Sequence, residues 1–423
     1  MPRLTAKQAL RDLRLVERAL TELHPGLLRY ITRAAFDAEL ARARAAVTEG
    51  ADLGTMYLLV SQLTAAVRCG HTWTNPLNQS PTVKSTVFDR ADKLPVRLRL
   101  VASRFLVTAS ATSAISAGAE LLAIDGRTVS SLIAELLPYL RADGSSDGKR
   151  LAQLSHGEGG DALDRLFPLV HPPTGGHYTL RVRAPDGFPR EVVVAATTVA
   201  AREALVGAED RARSAWAFTI DGDTGLLTLP TFAFWNSTFD WKGFLEQSFA
   251  TLEARQVPYL IIDQRRNDTW NYGFFDRTGK VTKGPGHNYL YTATAPTSER
   301  VVRPARHRYQ GRAFVLIGPE NSSAGFVLAA LIKRHRAATL VGQSTGGNLR
   351  GLNGGELAWL TLPESGVAFD VPLVAWMPLS PAPDAGVTPD LVVPAHFEDV
   401  AAGVDADLVA TRAAIARLRA ASP

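Results

Sequence analysis

The chain has 423 residues, of which 46% are hydrophobic and 21% are charged, and its formal net charge is +5. This composition is that of a globular protein, and it excludes a disordered, collagen-like or coiled-coil chain as a whole. The small positive surplus forms no clustered basic tract, so we expect no nucleic-acid partner. The single cysteine, Cys69, excludes an internal disulfide, a four-cysteine zinc site and an iron–sulfur cluster.

No hydrophobic run approaches the roughly 20 residues that a membrane-spanning helix needs. The N-terminal residues also lack the hydrophobic region of a signal peptide. We therefore expect no membrane span and no recognisable leader in this chain. At roughly 150 residues per domain, the length predicts two or three domains.

The first part of the chain is predicted to be helical. Hydrophobic residues recur near the helical period at Leu10, Leu13, Val16, Leu20 and Leu23. The segment His24-Pro25-Gly26 should end this helix, and two further helices are predicted over residues 36–47 and 56–67.

The sequence pattern then changes to short runs typical of β-strands, which are followed by alternating strands and helices. Strands are predicted over residues 96–101, 105–108, 178–182 and 191–194, with one helix over 130–139. From residue 217 onward, strands are predicted over 225–229, 259–263, 313–318, 338–341 and 357–362. Helices are predicted over 239–254, 324–336 and 405–420, and residues 265–303 are predicted to be a long loop. The alternation indicates an α/β architecture.

Two places in the sequence offer a serine in a context that suits a nucleophile. Ser344 lies in Gly342-Gln-Ser-Thr-Gly346, which fits the nucleophile-elbow pattern of α/β-hydrolases. That pattern requires a helix directly after the serine, whereas a glycine-rich loop follows here. We therefore do not favour Ser344.

Ser322 and Ser323 lie between the predicted strand 313–318 and the predicted helix 324–336. A serine at a helix N-terminus faces unpaired backbone N–H groups, which can stabilise an oxyanion. Serine and asparagine are also ordinary helix caps. The local pattern leaves both interpretations open.

Eight segments occur in an order that is typical of one peptidase family. They are Glu22-Leu-His-Pro-Gly-Leu-Leu-Arg-Tyr30, Arg68-Cys-Gly-His-Thr72, Gly118-Ala-Glu-Leu-Leu-Ala-Ile-Asp-Gly126, Tyr259-Leu-Ile-Ile-Asp-Gln-Arg-Arg-Asn267, Asn321-Ser-Ser-Ala324, Val341-Gly-Gln-Ser-Thr-Gly-Gly347, Leu362-Pro-Glu-Ser-Gly366 and Gly386-Val-Thr-Pro-Asp390. With these segments the chain resembles the tail-specific serine peptidases of family S41. The family includes the C-terminal processing proteases and their tricorn-core-like and retinoid-binding-protein-like relatives.

The resemblance implies a multidomain α/β chain. Its expected parts are a helical N-terminal region that contributes the catalytic histidine (residues 1–90) and a PDZ-like β-rich module (91–205). A crotonase-like α/β catalytic domain (206–400) and a C-terminal helix (401–423) are expected to follow.

The resemblance also implies the site residues. Ser323 matches the family nucleophile, and His71 matches the general base of tricorn-like members. The lysine that tail-specific members use instead is missing, because no lysine follows Lys333. Asp384 is the nearest candidate for a third, acidic member.

The expected oxyanion donors are the backbone N–H groups of Ala324 and of Thr269 or Trp270. The family has glycines where Thr269 and Trp270 stand, so this turn departs from the family pattern. Cys69 stands where the family has an aspartate. We interpret it as a small buried side chain, although a cysteine nucleophile is an alternative.

The predicted function is a serine-type peptidase that acts on peptides or unfolded proteins, with no cofactor and no metal. The histidines lack metal-site spacing; His171 and His177, for example, flank a proline–glycine loop. The alternatives are a catalytically impaired S41-like binding protein and a non-peptidase acyl hydrolase that uses the same serine. The oligomeric state is left open, and so is the localisation, although relatives are often exported.

Overall fold

The computed structural model describes residues 3–156, 162–185, 187–207, 215–232, 238–266, 286–288, 295–296, 301–304, 306–354, 356–378 and 380–421. The chain forms two compact units. Unit 1 contains residues 1–207, 350–384 and 395–403, and unit 2 contains residues 208–349, 385–394 and 404–423. The four-part division predicted from the sequence is finer than these units, and it stays a prediction.

The N-terminal part of unit 1 is helical, as predicted. Its elements are β1 (Arg3–Leu4), α1 (Ala6–Glu22), α2 (Arg33–Ala45), β2 (Ala51–Asp52), α3 (Leu53–Ala66) and the short α4 (Pro81–Val83). Thr5 and Gln8 form a capping box at the start of α1, and Asp52 caps α3 by accepting from the Thr55 N–H at 2.7 Å. Of the predicted hydrophobic stripe, Leu13, Val16 and Leu20 are buried and Leu10 is half-buried, whereas Leu23 lies past the end of α1 and is exposed.

An antiparallel sheet follows in unit 1. The elements of this part are β3 (Val96–Val101), β4 (Arg104–Ser110), β5 (Glu120–Ile124), β6 (Arg127–Thr128), α5 (Val129–Leu136), α6 (Asp147–Ala152), α7 (Ala162–Val170), β7 (His177–Arg183), β8 (Pro189–Ala195) and α8 (Val199–Glu203). The strand order is β3-β4-β5-β7-β8, and β6 pairs with β5. All four strands predicted in this region are confirmed. Their alternation buries one face of the sheet, as the pattern of β7 illustrates.

The remaining elements complete both units. In chain order they are β9 (Ala217–Asp221), β10 (Thr224–Thr228), α9 (Trp241–Ala254), β11 (Tyr259–Asp263), β12 (Gly286–Asn288), β13 (Ala295–Pro296), β14 (Val301–Pro304), β15 (Arg312–Ile317), α10 (Ser323–His335), β16 (Thr339–Gly342), β17 (Leu352–Asn353), β18 (Leu357–Thr361), β19 (Ala368–Pro372), β20 (Ala375–Trp376), β21 (Leu391–Val392), α11 (Phe397–Ala401) and α12 (Ala406–Ala421).

Unit 2 is built on a six-stranded sheet with the order β21-β16-β15-β11-β10-β9. Every neighbouring pair is parallel except β10 and β9. The central strands β11 and β15 are buried along almost their whole length, because parallel sheets are covered on both faces. On one face, Ile261 and Phe314 pack with Ile415 of α12. The predicted α/β fold class is confirmed.

One sequence expectation is corrected by the described residues. The range 265–303 was expected to be loop throughout, yet β12, β14 and β13 form a small sheet there. These strands have only two to four residues each. Such short strands show no usable alternation of polar and hydrophobic residues.

Candidate active site

Ser323 lies where a buried parallel strand turns into a helix. Strand β15 ends at Ile317, and α10 begins at Ser323. Ser323 has a φ of 49°, a left-handed backbone conformation that is uncommon for residues other than glycine. Such strain occurs preferentially at functional sites, and a sharp strand-to-helix turn presents a serine hydroxyl at the end of a sheet.

The alternative interpretation, an ordinary helix cap, finds no support in the side chains. Ser322 occupies the N-cap position of α10, but its side chain makes no capping hydrogen bond. The amide of Asn321 is used for contacts outside the helix. Ala324 is the second residue of α10, so its N–H belongs to the group that helix geometry leaves without an intrahelical acceptor.

Asn321 holds this turn in place, and the sequence analysis did not single it out. The side chain is fully buried; its Oδ1 accepts from the Gly318 N–H at 2.9 Å, and its Nδ2 donates to the Gln264 carbonyl. Its backbone carbonyl accepts from the N–H groups of Gly346 at 2.8 Å and Gly347 at 3.0 Å. One buried residue therefore ties the serine turn to the segments that follow β11 and β16.

An ionic cluster lies beside this turn, at the end of β11. The Arg265 guanidinium donates to Asp263 at 2.7 Å, to Asp405 at 2.7 Å and to Asp407 at 2.9 Å. Burial alone would lower the pKa of Arg265, but these carboxylates raise it above its usual range. The cluster anchors the start of α12 to the C-terminal edge of the sheet.

The second candidate serine, Ser344, lies in a different local structure. It follows β16, and within the described residues no helix begins before β17. The nucleophile-elbow pattern is therefore present in the sequence without its required backbone context.

His71 lies in a turn that follows α3 in unit 1. Arg68 has a φ of 54°, and the Thr72 N–H donates to the Cys69 carbonyl at 3.1 Å. Two residues after His71, Trp73 pairs with Asp370 of β19 through a 2.9 Å backbone hydrogen bond. His71 is 7% exposed, whereas Cys69 is 1% exposed.

Asp143 is the carboxylate that the structure places beside His71. It is buried, and its Oδ1 accepts from the Gly70 N–H at 2.7 Å. Cys69, His71 and Asp143 each offer a ligand atom within 4.8 Å of the other two. A side chain at position 70 would begin 2.8 Å from the Asp143 carboxylate, so the close approach requires glycine. No pattern in the sequence had indicated Asp143.

Burial dominates the electrostatics of this cluster. It raises the pKa of Asp143 to about 6, against the opposing effects of the Gly70 N–H, Arg141, Lys149 and Arg29. Burial likewise raises the pKa of the Cys69 thiol. A protonated, buried thiol is a poor nucleophile, so the geometry favours Cys69 as a packing residue over a cysteine nucleophile.

A third segment, which contains Asn353 and Gly354, also packs against this cluster. Ring atoms of His71 lie 3.3–3.5 Å from the position where a side chain at Gly354 would begin, so the ring packs closely against this segment. The neighbouring Asn353 donates to Cys69 Sγ at 3.5 Å. Gly26 packs against the Asn353 amide, which brings the segment around His24-Pro25-Gly26 to the same place.

Asp384, the acid suggested by the resemblance, has other partners among its described contacts. It accepts from the Ser145 N–H at 2.9 Å and from the Ser145 hydroxyl at 3.0 Å, and Arg350 lies 3.8 Å away. Ser145 belongs to the same loop as Asp143. These contacts make Asp384 a support of that loop, and its catalytic role stays a prediction.

The remaining predicted donors, Thr269 and Trp270, lie outside the described residues. Ser323 and Ala324 belong to unit 2, whereas His71, Asp143 and Asp384 belong to unit 1. No helix in the described part of the chain is both long enough and apolar enough to cross a membrane.

Comparisons with known proteins address the family and the fold. Residues 223–393 match peptidase family S41, which confirms the family resemblance for this part of the chain. The structure of mature CPAF complexed with lactacystin aligns with a TM-score of 0.66 and 17% identity, over 94% of this chain and 95% of that one. A crystal structure of mature CPAF aligns with a TM-score of 0.59 and 17% identity, over 94% of each chain. At this identity the likeness shows the fold. No curated protein matches the sequence.

Proposed function

We propose that this chain is a serine-type peptidase that hydrolyses peptide bonds in peptides or unfolded proteins through an acyl-enzyme on Ser323. The observation that carries the proposal is the left-handed backbone of Ser323 at the first residue of α10. A helix cap needs no such strain, whereas a nucleophile presented on a sharp turn does. The match of residues 223–393 to a peptidase family supports the same conclusion.

In the proposed reaction, Ser323 Oγ attacks the carbonyl carbon of the scissile bond while a neutral His71 imidazole takes the hydroxyl proton. The resulting oxyanion is stabilised by the backbone N–H of Ala324 at the start of α10. The C–N bond then breaks, and the imidazolium returns its proton to the leaving amine. Water repeats the sequence on the ester, which releases the acid and restores the Ser323 hydroxyl.

We assign to Asp143 the orienting role that the resemblance suggested for Asp384. A buried carboxylate near the imidazole stabilises the positive charge that forms on His71 during the reaction. The hydrogen bond from Gly70 and the burial of Asp143 support this assignment, because both hold the carboxylate beside the histidine. Asp384 then supports the loop of Asp143 indirectly, through the hydrogen bonds it accepts from Ser145.

A second oxyanion donor is proposed from the turn that contains Thr269 and Trp270. The family has glycines there, and Thr and Trp restrict the backbone conformations through which this donor would be presented. The peptidase proposal also includes the PDZ-like module and the crotonase-like catalytic domain. In this scheme the module binds the peptide substrate.

A fluorophosphonate probe tests the proposal directly. The expected result is a covalent label on Ser323, which peptide mapping identifies and which Ser323→Ala abolishes. Ser344→Ala and Ser322→Ala are the matched controls, and both should label like the parent protein. A label on Ser322 or Ser344 would overturn the assignment of the nucleophile.

The two alternatives are distinguished by what the unlabelled protein hydrolyses. Cleavage of unfolded casein supports the peptidase. Hydrolysis of activated esters without any peptide cleavage indicates a non-peptidase acyl hydrolase. If the protein is not labelled and hydrolyses neither substrate, it is a binding protein that retains a peptidase fold, since a fold does not dictate a function.

A further inference from the structure

We propose that Cys69, His71 and Asp143 form a binding site for a thiophilic divalent cation of the Zn²⁺ class. The inference starts from their mutual distances, because one ligand atom of each residue lies within 4.8 Å of the other two. In a tetrahedral zinc site neighbouring ligand atoms are separated by about 3.5 Å, given metal–ligand distances of roughly 2.0–2.3 Å. Small side-chain movements would bring these three atoms onto one ion.

The chemistry of the ligands selects the class of cation. A thiolate and an imidazole are preferred ligands of Zn²⁺, whereas Mg²⁺ and Ca²⁺ require a shell made almost entirely of oxygen atoms. Three protein ligands leave the fourth tetrahedral position to water. When the ion binds, the thiol proton is released to solvent and the sulfur becomes a thiolate ligand.

The surroundings already orient two of the three ligands. The Gly70 N–H donates to Asp143 Oδ1 at 2.7 Å, which holds this carboxylate beside Cys69 and His71. The Asn353 amide donates to Cys69 Sγ at 3.5 Å. Such outer hydrogen bonds fix the direction of metal ligands and are a regular part of metal sites.

Two features argue for a regulatory site instead of a permanent structural one. Arg141, Lys149 and Arg29 act electrostatically on Asp143, and their positive charges lower the affinity for a cation. His71 is the most exposed ligand at 7%, so its imidazole is the first that an entering ion meets. An ion held by His71 occupies the imidazole that must accept the serine proton. The inhibitory consequence therefore rests on the proposed function, although metal binding itself does not.

Cobalt spectroscopy tests the site on the intact chain. Because Cys69 is the single cysteine of the chain, a thiolate-to-cobalt charge-transfer band can arise only from this residue. Titration with Co²⁺ should produce that band with a stoichiometry of one ion per chain. Zn²⁺ should abolish it, since zinc binds more tightly than cobalt, and Mg²⁺ should not.

Variants separate the cluster from adventitious binding. Cys69→Ser should remove the band, and Asp143→Asn should weaken Co²⁺ binding by at least about tenfold. His177→Ala, which alters an exposed histidine outside the cluster, should bind like the parent protein. Asp143→Asn keeps an acceptor for the Gly70 N–H, so it serves as the second variant if Cys69→Ser does not fold.

The experiments test the metal site and the proposed peptidase separately. No band at saturating Co²⁺, or a band that persists in Cys69→Ser, overturns the metal site. Zn²⁺ should also suppress phosphonate labelling of Ser323, and the ratio of labelling with and without Zn²⁺ should approach one in Cys69→Ser. A band without any labelling of metal-free protein would retain the metal site and reject the peptidase.

Discussion

The turn at Ser323 and the turn at His71 are built alike but held differently. Each follows a regular element and contains a left-handed residue that is not glycine: Ser323 with a φ of 49° and Arg68 with a φ of 54°. The Ser323 turn is fixed through one of its own residues, since Asn321 bonds both to Gly318 three residues earlier and to Gln264, Gly346 and Gly347. The His71 turn is fixed from afar, by Asp143, which is 73 residues from Gly70, and by Asn353, which is 284 residues from Cys69.

This difference matters for inference from sequence. A turn between two regular elements leaves a local signature, and the strand, turn and helix around Ser323 are visible in succession, although the choice of Ser323 came from the family resemblance. A turn that is stabilised by distant loops leaves none. The histidine was found by resemblance, whereas its carboxylate neighbour was not found at all.

The largest expected effect separates the base from other histidines. His71→Ala should lower the rate of phosphonate labelling and of casein cleavage by roughly 10⁴- to 10⁶-fold, because loss of a triad base removes the proton acceptor. His177→Ala, at an exposed histidine, should retain the parent rate. Near-normal activity of His71→Ala at neutral pH would remove His71 from the mechanism.

The next comparison decides which carboxylate serves His71. Asp143→Asn should lower kcat/KM by about 10²- to 10⁴-fold, because the neutral amide cannot stabilise an imidazolium. Asp384→Asn should cost less than about tenfold, since its described partners are Ser145 and Arg350. The reverse order of effects would restore the assignment that the resemblance suggested.

A third test asks whether Asn321 holds the Ser323 turn. Asn321→Ala should lower the free energy of unfolding by about 2–4 kcal/mol, because it leaves the buried Gly318 N–H and Gln264 carbonyl without this partner. The matched change is Ser322→Ala at the neighbouring position, where no capping bond is lost, and it should cost less than Asn321→Ala. Urea denaturation measures both, and equal losses would contradict the role of Asn321.

A further effect, which depends on pH, is expected on the stability of unit 1, through His24. Burial, followed by the charge of Arg29, lowers the pKa of His24 to about 4. Its folded-state pKa lies below the unfolded value of about 6.5, so the buried neutral ring stabilises the fold at pH 7. That stability is lost as the pH falls from about 6.5 through 4, by about 3 kcal/mol.

His24→Asn is the control for this effect. An asparagine oxygen can still accept from the Gly26 N–H, which His24 Nδ1 accepts at 3.1 Å. Denaturation at pH 7 and at pH 4.5 should therefore show a smaller loss of stability in the variant than in the parent. An identical pH dependence of the two proteins would show that His24 does not titrate during unfolding.

Much of the fold could be predicted because its elements have clear short-range patterns. The period of α1 and the buried runs of β11 and β15 are visible in the residues themselves. The strands β12, β13 and β14 could not be predicted, because elements of two to four residues carry too few positions to establish a period. Their pairing depends on neighbours, not on their own sequence.

By itself, the sequence determined most of the helices and strands in their order and the strand-to-helix turn at Ser323, and its family resemblance pointed to the histidine of the Arg68–Thr72 segment. Only the tertiary structure decided that Asn321 bonds to Gln264 and that Asp143 lies against Gly70, with Cys69 and His71 beside it. Periodicity and capping are short-range effects that neighbouring residues impose on each other. Contacts between loops depend on how the whole chain packs, and a carboxylate in a loop without periodicity shows no sign of the partner it will meet.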